Sequence, residues 1–252
     1  MTESVVRIVL VHQTVGRQLL VDGDIRGRLR AILPEEVRAE LWSHDFNRRG
    51  LTGPDGASVG RRLPVPDDDT DPGGLLRIFT SDDDAARRAR RQLLEFDVIA
   101  VKSSFVNSAI RSNAQLDEIV GRYRSLIAAW RELSPTRFLL ITTPPLVPSR
   151  TDLAQARRAA RLSRWLAAGG GGAVGNVSVF DLFSRLAAVR GPHAGMLSPG
   201  YRRLIPIDAH PNARAARDVA GPLARVLASI AADRVRDADR IARDVIRVPT
   251  AR

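Results

Sequence analysis

Cysteine is absent from this sequence. That excludes disulfides, thiolate metal sites and a cysteine nucleophile, and it fits a reducing compartment. Lysine is almost absent: Lys102 stands alone among 39 basic residues. No apolar stretch approaches the ~20 residues that a membrane-spanning helix needs. The first ten residues lack a basic region followed by a long apolar one, so no signal peptide is expected and the cytoplasm is the expected compartment. Four histidines are present, but none shows the His-x-x-x-His spacing of a zinc site, and no EF-hand pattern occurs. No metal is expected.

What remains is an ordinary globular composition, 44% hydrophobic and 27% charged over 252 residues. It suffices for one α/β domain with a real core. The net charge of +11 raises the question of a nucleic-acid partner. Phosphate binding needs positive charge gathered on one face or tail, interleaved with aromatics. Here arginine is spread along every predicted helix, as a general preference for arginine would leave it, and the composition argues against a nucleic-acid role.

The apolar run Val5 to Val11, ending in His12, reads as a buried parallel strand. Helical spacing follows from Gly16 to Leu33. Further strands are predicted at Arg38 to Trp42, Asp97 to Val101, Arg137 to Thr142 and Val174 to Phe180. Helices are predicted at Leu75 to Phe79, Asp82 to Glu95, Leu116 to Leu133, Thr151 to Ala168 (capped by Thr151 or Asp152) and Asn212 to Ala232 (capped by Asn212). Residues 1–232 form the expected single domain, with no internal repeat. Residues 233–252 are a charged extension of the last helix or a tail. The segment Asn47 to Gly74 is a long Gly-, Pro- and Asp-rich loop, of the kind that is usually functional. Its acidic run, Asp67 to Asp71, reads as solvated or as a rim of the site. Strands alternating with helices predict a parallel five-stranded sheet covered on both faces, whose site lies at the carboxyl ends of the strands.

Polar residues collect at those ends. Asp208-Ala209-His210-Pro211-Asn212 puts a carboxylate two residues before a histidine. A carboxylate can fix an imidazole's tautomer, and the imidazole can then deprotonate a hydroxyl. Thr14, in His12-Gln13-Thr14-Val15-Gly16, supplies a hydroxyl at the end of the first strand. Its alternative role is to cap the following helix. For His210 the alternative is a helix-start histidine held by a carbonyl, and for Asp208 a turn carboxylate. His12 reads as a core or supporting residue. Lys102, where arginine is used everywhere else, suits a site that needs a compact ammonium, for a substrate carboxylate or an internal Asp; chance retention is the alternative.

These strand-end residues resemble the SGNH/GDSL hydrolase superfamily. His12 to Gly16 looks like the first block of a branch reading His-x-Ser-x-Gly, here with threonine. Asn47 to Gly53 looks like the second block, Lys102 to Ser108 occupies the third, and Asp208 to Asn212 looks like the last. One residue separates Asp208 from His210 where the common pattern has two. The resemblance implies a flavodoxin-like three-layer α/β/α fold. It implies Thr14, Asp208 and His210 as catalytic residues, with Gly50, Asn47, Asn107, Lys102 and Ser104 about the oxyanion and substrate, and no cofactor. The implied reaction is hydrolysis or transfer of an acyl group from a small-molecule or glycan ester through an acyl-enzyme. A second reading is a pseudoenzyme that keeps the cleft and binds a ligand or protein without turnover. A third is a polyanion binder, marked by steep salt dependence.

Overall fold

A computed structural model describes residues 4–45, 50–64, 71–170, 175–205 and 208–246. The described strands form one six-stranded sheet in the order β3-β2-β1-β4-β5-β6. They are β1 (Ser4–His12), β2 (Val37–Asp45), β3 (Gly50–Thr52), β4 (Val98–Lys102), β5 (Arg137–Ile141) and β6 (Val177–Phe180). Five run parallel, as the β/α alternation predicts. The sixth, β3, is a correction to the expected five: it pairs antiparallel with the end of β2, Asp45 against Gly50 and Ser43 against Thr52. Three residues inside a Gly- and Pro-rich stretch carry no periodicity, so nothing in the pattern marks them as a strand.

The helices are α1 (Thr14–Val21), α2 (Ile25–Ile32), α3 (Pro72–Thr80), α4 (Asp84–Leu93), α5 (Asn113–Arg131), α6 (Leu153–Ala167), α7 (Leu182–Leu186) and α8 (Ala213–Ile246). The predicted helix over 16–33 is two helices. Asp24, with φ 46°, breaks it and caps α2 by accepting from the Gly27 N–H. Asp152 caps α6, accepting from Gln155 N–H at 2.7 Å. Asn212 accepts from Ala215 N–H at 3.0 Å as α8 begins. Asp83 rather than Asp82 caps α4, accepting from Ala86 N–H at 2.7 Å. Asp71, read with the acidic run, caps α3 and pairs with Arg122 at 3.4 Å. Residues 67–70 of that run lie outside the described residues.

Alternation along the strands sorts the core into two layers. Ile8 and Leu10 of β1, Val98 and Ala100 of β4, and Leu139 and Ile141 of β5 pack with α1, α2 and α8. Val9 and Val11, Ile99 and Val101, and Phe138 and Leu140 pack with α3 to α6. Trp130 stacks on Phe138 with centroids 4.7 Å apart, which anchors the second layer. The result is a three-layer α/β/α sandwich. The chain leaves β1 toward β2 on one side and returns to β4 on the other. The carboxyl ends of β1 and β4 are therefore the topological switch point, where open α/β sheets bind ligands.

Candidate active site

Thr14 follows the extended Gln13 and is the first residue of α1, half-buried at the end of β1. The sharp strand-to-helix passage depends on Gly16. A Cβ there would lie 2.2 Å from the His12 Cβ and 2.5 Å from its Cγ. The His12 ring thus occupies the space under the first turn of α1. The His-x-x-x-Gly spacing is a packing pair.

His12 is 1% exposed. Its Nδ1 lies 2.8 Å from the Gln13 carbonyl, which fixes Nδ1–H as the donor and leaves Nε2 as a lone-pair acceptor. Burial, above all, pushes its pKa down to about 4; the Gln13 carbonyl and Asp45 act in the opposite direction. His12 is therefore neutral near pH 7. Among the described residues Nε2 has no hydrogen-bond partner.

His210 sits in a tightly tied segment ahead of α8. Its Nδ1 is 2.7 Å from Asp208 Oδ1, and the same oxygen accepts the His210 backbone N–H at 2.9 Å. One intervening residue is enough because the chain turns so that one carboxylate oxygen serves both groups. The other oxygen, Oδ2, accepts from Arg203 Nη1 at 3.1 Å. Burial alone would raise the Asp208 pKa, but the His210 N–H, its ring and the Arg203 charge outweigh it and hold the carboxyl below its ordinary value. Asp208 is thus ionised, and Nδ1–H of His210 donates to it, leaving Nε2 to accept a proton.

Other bonds join this segment to the rest of the switch point. Gln18 of α1 donates from Nε2 to the Pro211 carbonyl at 2.9 Å, in a buried position. Asn212 donates to the carbonyls of Gly200 and Arg202 at 3.1 and 2.9 Å. Phe105, just beyond β4, meets the His210 ring edge-on, with centroids 5.5 Å apart. The end of β4 is thereby tied to the His210 ring through Phe105, and α1, which Thr14 begins, is tied to the same segment through Gln18.

The remaining sequence candidates are placed as follows. Gly50 opens β3 opposite Asp45 with φ +61°, and a Cβ there would lie 2.7 Å from the Arg61 carbonyl. A tight backbone approach explains this glycine. Asn47 lies outside the described residues. Asn107 is 1% exposed, and its side-chain amide donates to Ser103 Oγ at 2.9 Å and Tyr123 Oη at 3.4 Å. Tyr123 belongs to the layer of α5, so the Asn107 amide is committed to the face opposite α1 and α8. Ser104 is buried, and its carbonyl accepts from Thr143 Oγ1 at 2.7 Å.

Lys102 is 1% exposed at the end of β4. Its ammonium lies 5.4 Å from the centroid of Phe105. Sequence reasoning missed Phe105, Arg203 and Gln18. Their roles depend on partners 105, 5 and 193 positions away, and no spacing announces them. Among the described residues no cluster of three or more His, Asp or Glu could hold a metal. A groove of about 540 Å³ runs along α2 and β2, lined by Arg26, Leu29, Val37 and Leu41 and not by His210.

No family model and no curated protein matches the chain. Solved structures do. An acylhydrolase assigned in Bacteroides fragilis superposes with a TM-score of 0.51 at 13% identity, over 89% of this chain and 88% of its own. A lipase/acylhydrolase from Enterococcus faecalis superposes with a TM-score of 0.49 at 15% identity, over 89% and 96%. A carbohydrate acetylesterase from Sinorhizobium meliloti gives 0.47 at 13%, over 89% and 99%. Identities this low speak to architecture. The chain shares its three-layer α/β/α fold with the Bacteroides fragilis structure.

Proposed function

We propose that the protein is a cofactor-independent hydrolase of small-molecule or glycan esters. The observation that carries this reading is the Asp208–His210 pair, 2.7 Å apart, at the switch point where Thr14 begins α1. His210 Nε2 takes the proton of the Thr14 hydroxyl as Oγ1 attacks the acyl carbonyl. The tetrahedral intermediate collapses, the proton passes to the leaving alcohol, and the acyl group stays on Thr14. Water, deprotonated by the same imidazole, then releases the acid. Asp208 holds the ring in the required tautomer and stabilises its cation, and Arg203 holds Asp208. The Thr14 backbone N–H and the Gly50 region supply donors to the oxyanion. The acylhydrolase fold supports the reading, and the cytoplasm is the compartment that suits a cysteine-free chain of this kind.

A second reading rests on Thr14 and Asn107. The extra methyl of threonine stiffens χ1 and crowds the approach of a carbonyl, and the Asn107 amide is engaged elsewhere. A cleft of this kind that binds without turnover is the alternative. Hydrolysis of a short-chain p-nitrophenyl ester panel separates the two, with wild type, Thr14→Ala, Thr14→Ser and His210→Ala. Turnover by wild type that both alanine variants lose supports the hydrolase. Turnover only in Thr14→Ser supports the binding protein.

A further inference from the structure

We propose that Lys102 is the side-chain donor to the oxyanion in this site, in the place that the Asn107 amide does not fill. The proposal rests on the hydrolase reading above and deepens it.

Register places the lysine. Leu10 pairs with Ala100 and Val11 with Val101, so the next step sets His12 beside Lys102. On its other side His12 pairs with Asp45 of β2. Strand alternation puts Asp45, His12 and Lys102 on the face covered by α1 and α8. That is the face on which α1, begun by Thr14, and Ala209, beside His210, pack. A row of three polar side chains, 4%, 1% and 1% exposed, thus crosses the sheet at its carboxyl edge. Asp45 pairs with Arg17 of α1 at 3.6 Å.

Lys102 has no such partner. Among the described residues it makes no hydrogen bond and no ion pair. Its ammonium lies 5.4 Å from the centroid of the Phe105 ring, which in turn meets His210. A buried ammonium costs several kcal/mol unless it is paired. Burial pushes its pKa down to about 7. A site that forms an anion during turnover gives this cation its partner at that step alone. Stabilisation confined to the transition state raises kcat. The ammonium keeps its proton throughout and donates a charge-assisted hydrogen bond to the oxygen of the tetrahedral intermediate.

Asn107 cannot do the same without breaking its bonds to Ser103 and Tyr123 on the other face. The titratable group set beside Lys102 on the neighbouring strand is His12 of β1. His12 is neutral, and Asp45 is paired with Arg17.

The test compares wild type, Lys102→Met, Lys102→Arg and His210→Ala on a p-nitrophenyl ester that wild type hydrolyses. kcat, KM, the pH profile and the thermal midpoint are read together. Lys102→Met should lower kcat by about 10²-fold or more with KM little changed. It should also raise the midpoint, because it removes an unpaired buried charge. Wild-type kcat should fall as pH rises through neutrality, as the ammonium is lost. Lys102→Arg should retain part of kcat and extend it to higher pH. A Lys102→Met enzyme with wild-type kcat, while His210→Ala is inactive, overturns this inference and leaves the hydrolase intact. So does a Lys102→Met enzyme that loses kcat together with stability, beside a wild type whose kcat does not fall above neutrality. Wild type inactive on every ester removes the hydrolase reading, and the inference with it.

Discussion

On the α5 side of the sheet's carboxyl edge, buried polar groups find one another. Ser103 Oγ and Tyr123 Oη are 2.6 Å apart, and the Asn107 amide donates to both. On the α8 side of the same strand ends, His12 Nε2 is buried with no hydrogen-bond partner among the described residues, and Lys102 beside it, also 1% exposed, sets its ammonium against the Phe105 ring. The first arrangement is a network whose members stabilise the fold. The second carries a standing cost that the fold does not recover internally. Alternation of side chains along β4 creates the contrast: Ser103 and Lys102 are neighbours in sequence and face opposite layers. Buried polarity alone therefore does not mark a site; buried polarity left unsatisfied is the sharper sign.

Substitutions can break or sharpen that contrast. The largest expected effect is on the α8 side. His210→Ala should lower kcat by about 10⁶-fold, as loss of a triad histidine does, with the urea midpoint nearly unchanged. A rate within tenfold of wild type would remove the imidazole from the mechanism.

The next effect is on stability at low pH. His12 and His44 are buried neutral, with pKa values pushed down to about 4 mainly by burial. His44 Nε2 accepts the Leu63 N–H at 3.2 Å, a bond that the protonated ring cannot make. The unfolded chain binds protons on these residues below about 6.5, whereas the folded one does so only near 4. Stability should thus be full at neutral pH and fall between about 6.5 and 4, by roughly 3 kcal/mol for each histidine. His44→Gln, which keeps an acceptor for Leu63, should remove about half of that slope in urea titrations at successive pH values. An unchanged slope would mean that His44 is not buried neutral.

Gly16→Ala should cost roughly 2 kcal/mol from overpacking, since the new methyl meets the His12 Cβ. Because Thr14 and His12 share that turn, kcat should fall as well, and a variant with wild-type midpoint and rate would refute the packing argument. The smallest effect belongs to the α5 side. Tyr123→Phe should cost about 1–2 kcal/mol by leaving Ser103 and the Asn107 amide short of a partner. kcat should remain within twofold. A large loss of rate without loss of stability would place Asn107 in the chemistry and undo the contrast between the faces.

The sequence by itself determined the alternation of strands and helices, because apolar runs and helical periodicity are local properties. It determined the strand ends too, through the switch from Val5–Val11 to His12 and from Val98–Val101 to Lys102. It also set the Asp208–His210 bond, since two residues this close in the chain need only one turn to meet. What tertiary structure alone decided involves partners distant in the chain. The antiparallel β3 forms because the end of β2 offers a free edge. The break at Asp24 follows from a left-handed residue that the helical pattern of 16–33 does not reveal. The commitment of Asn107 to Tyr123 depends on where α5 packs. The placing of Lys102 beside His12 depends on the pairing of β1 with β4, across a separation of 90 residues in the chain. A residue's face and neighbours are set by register, and register is settled only when the whole sheet assembles.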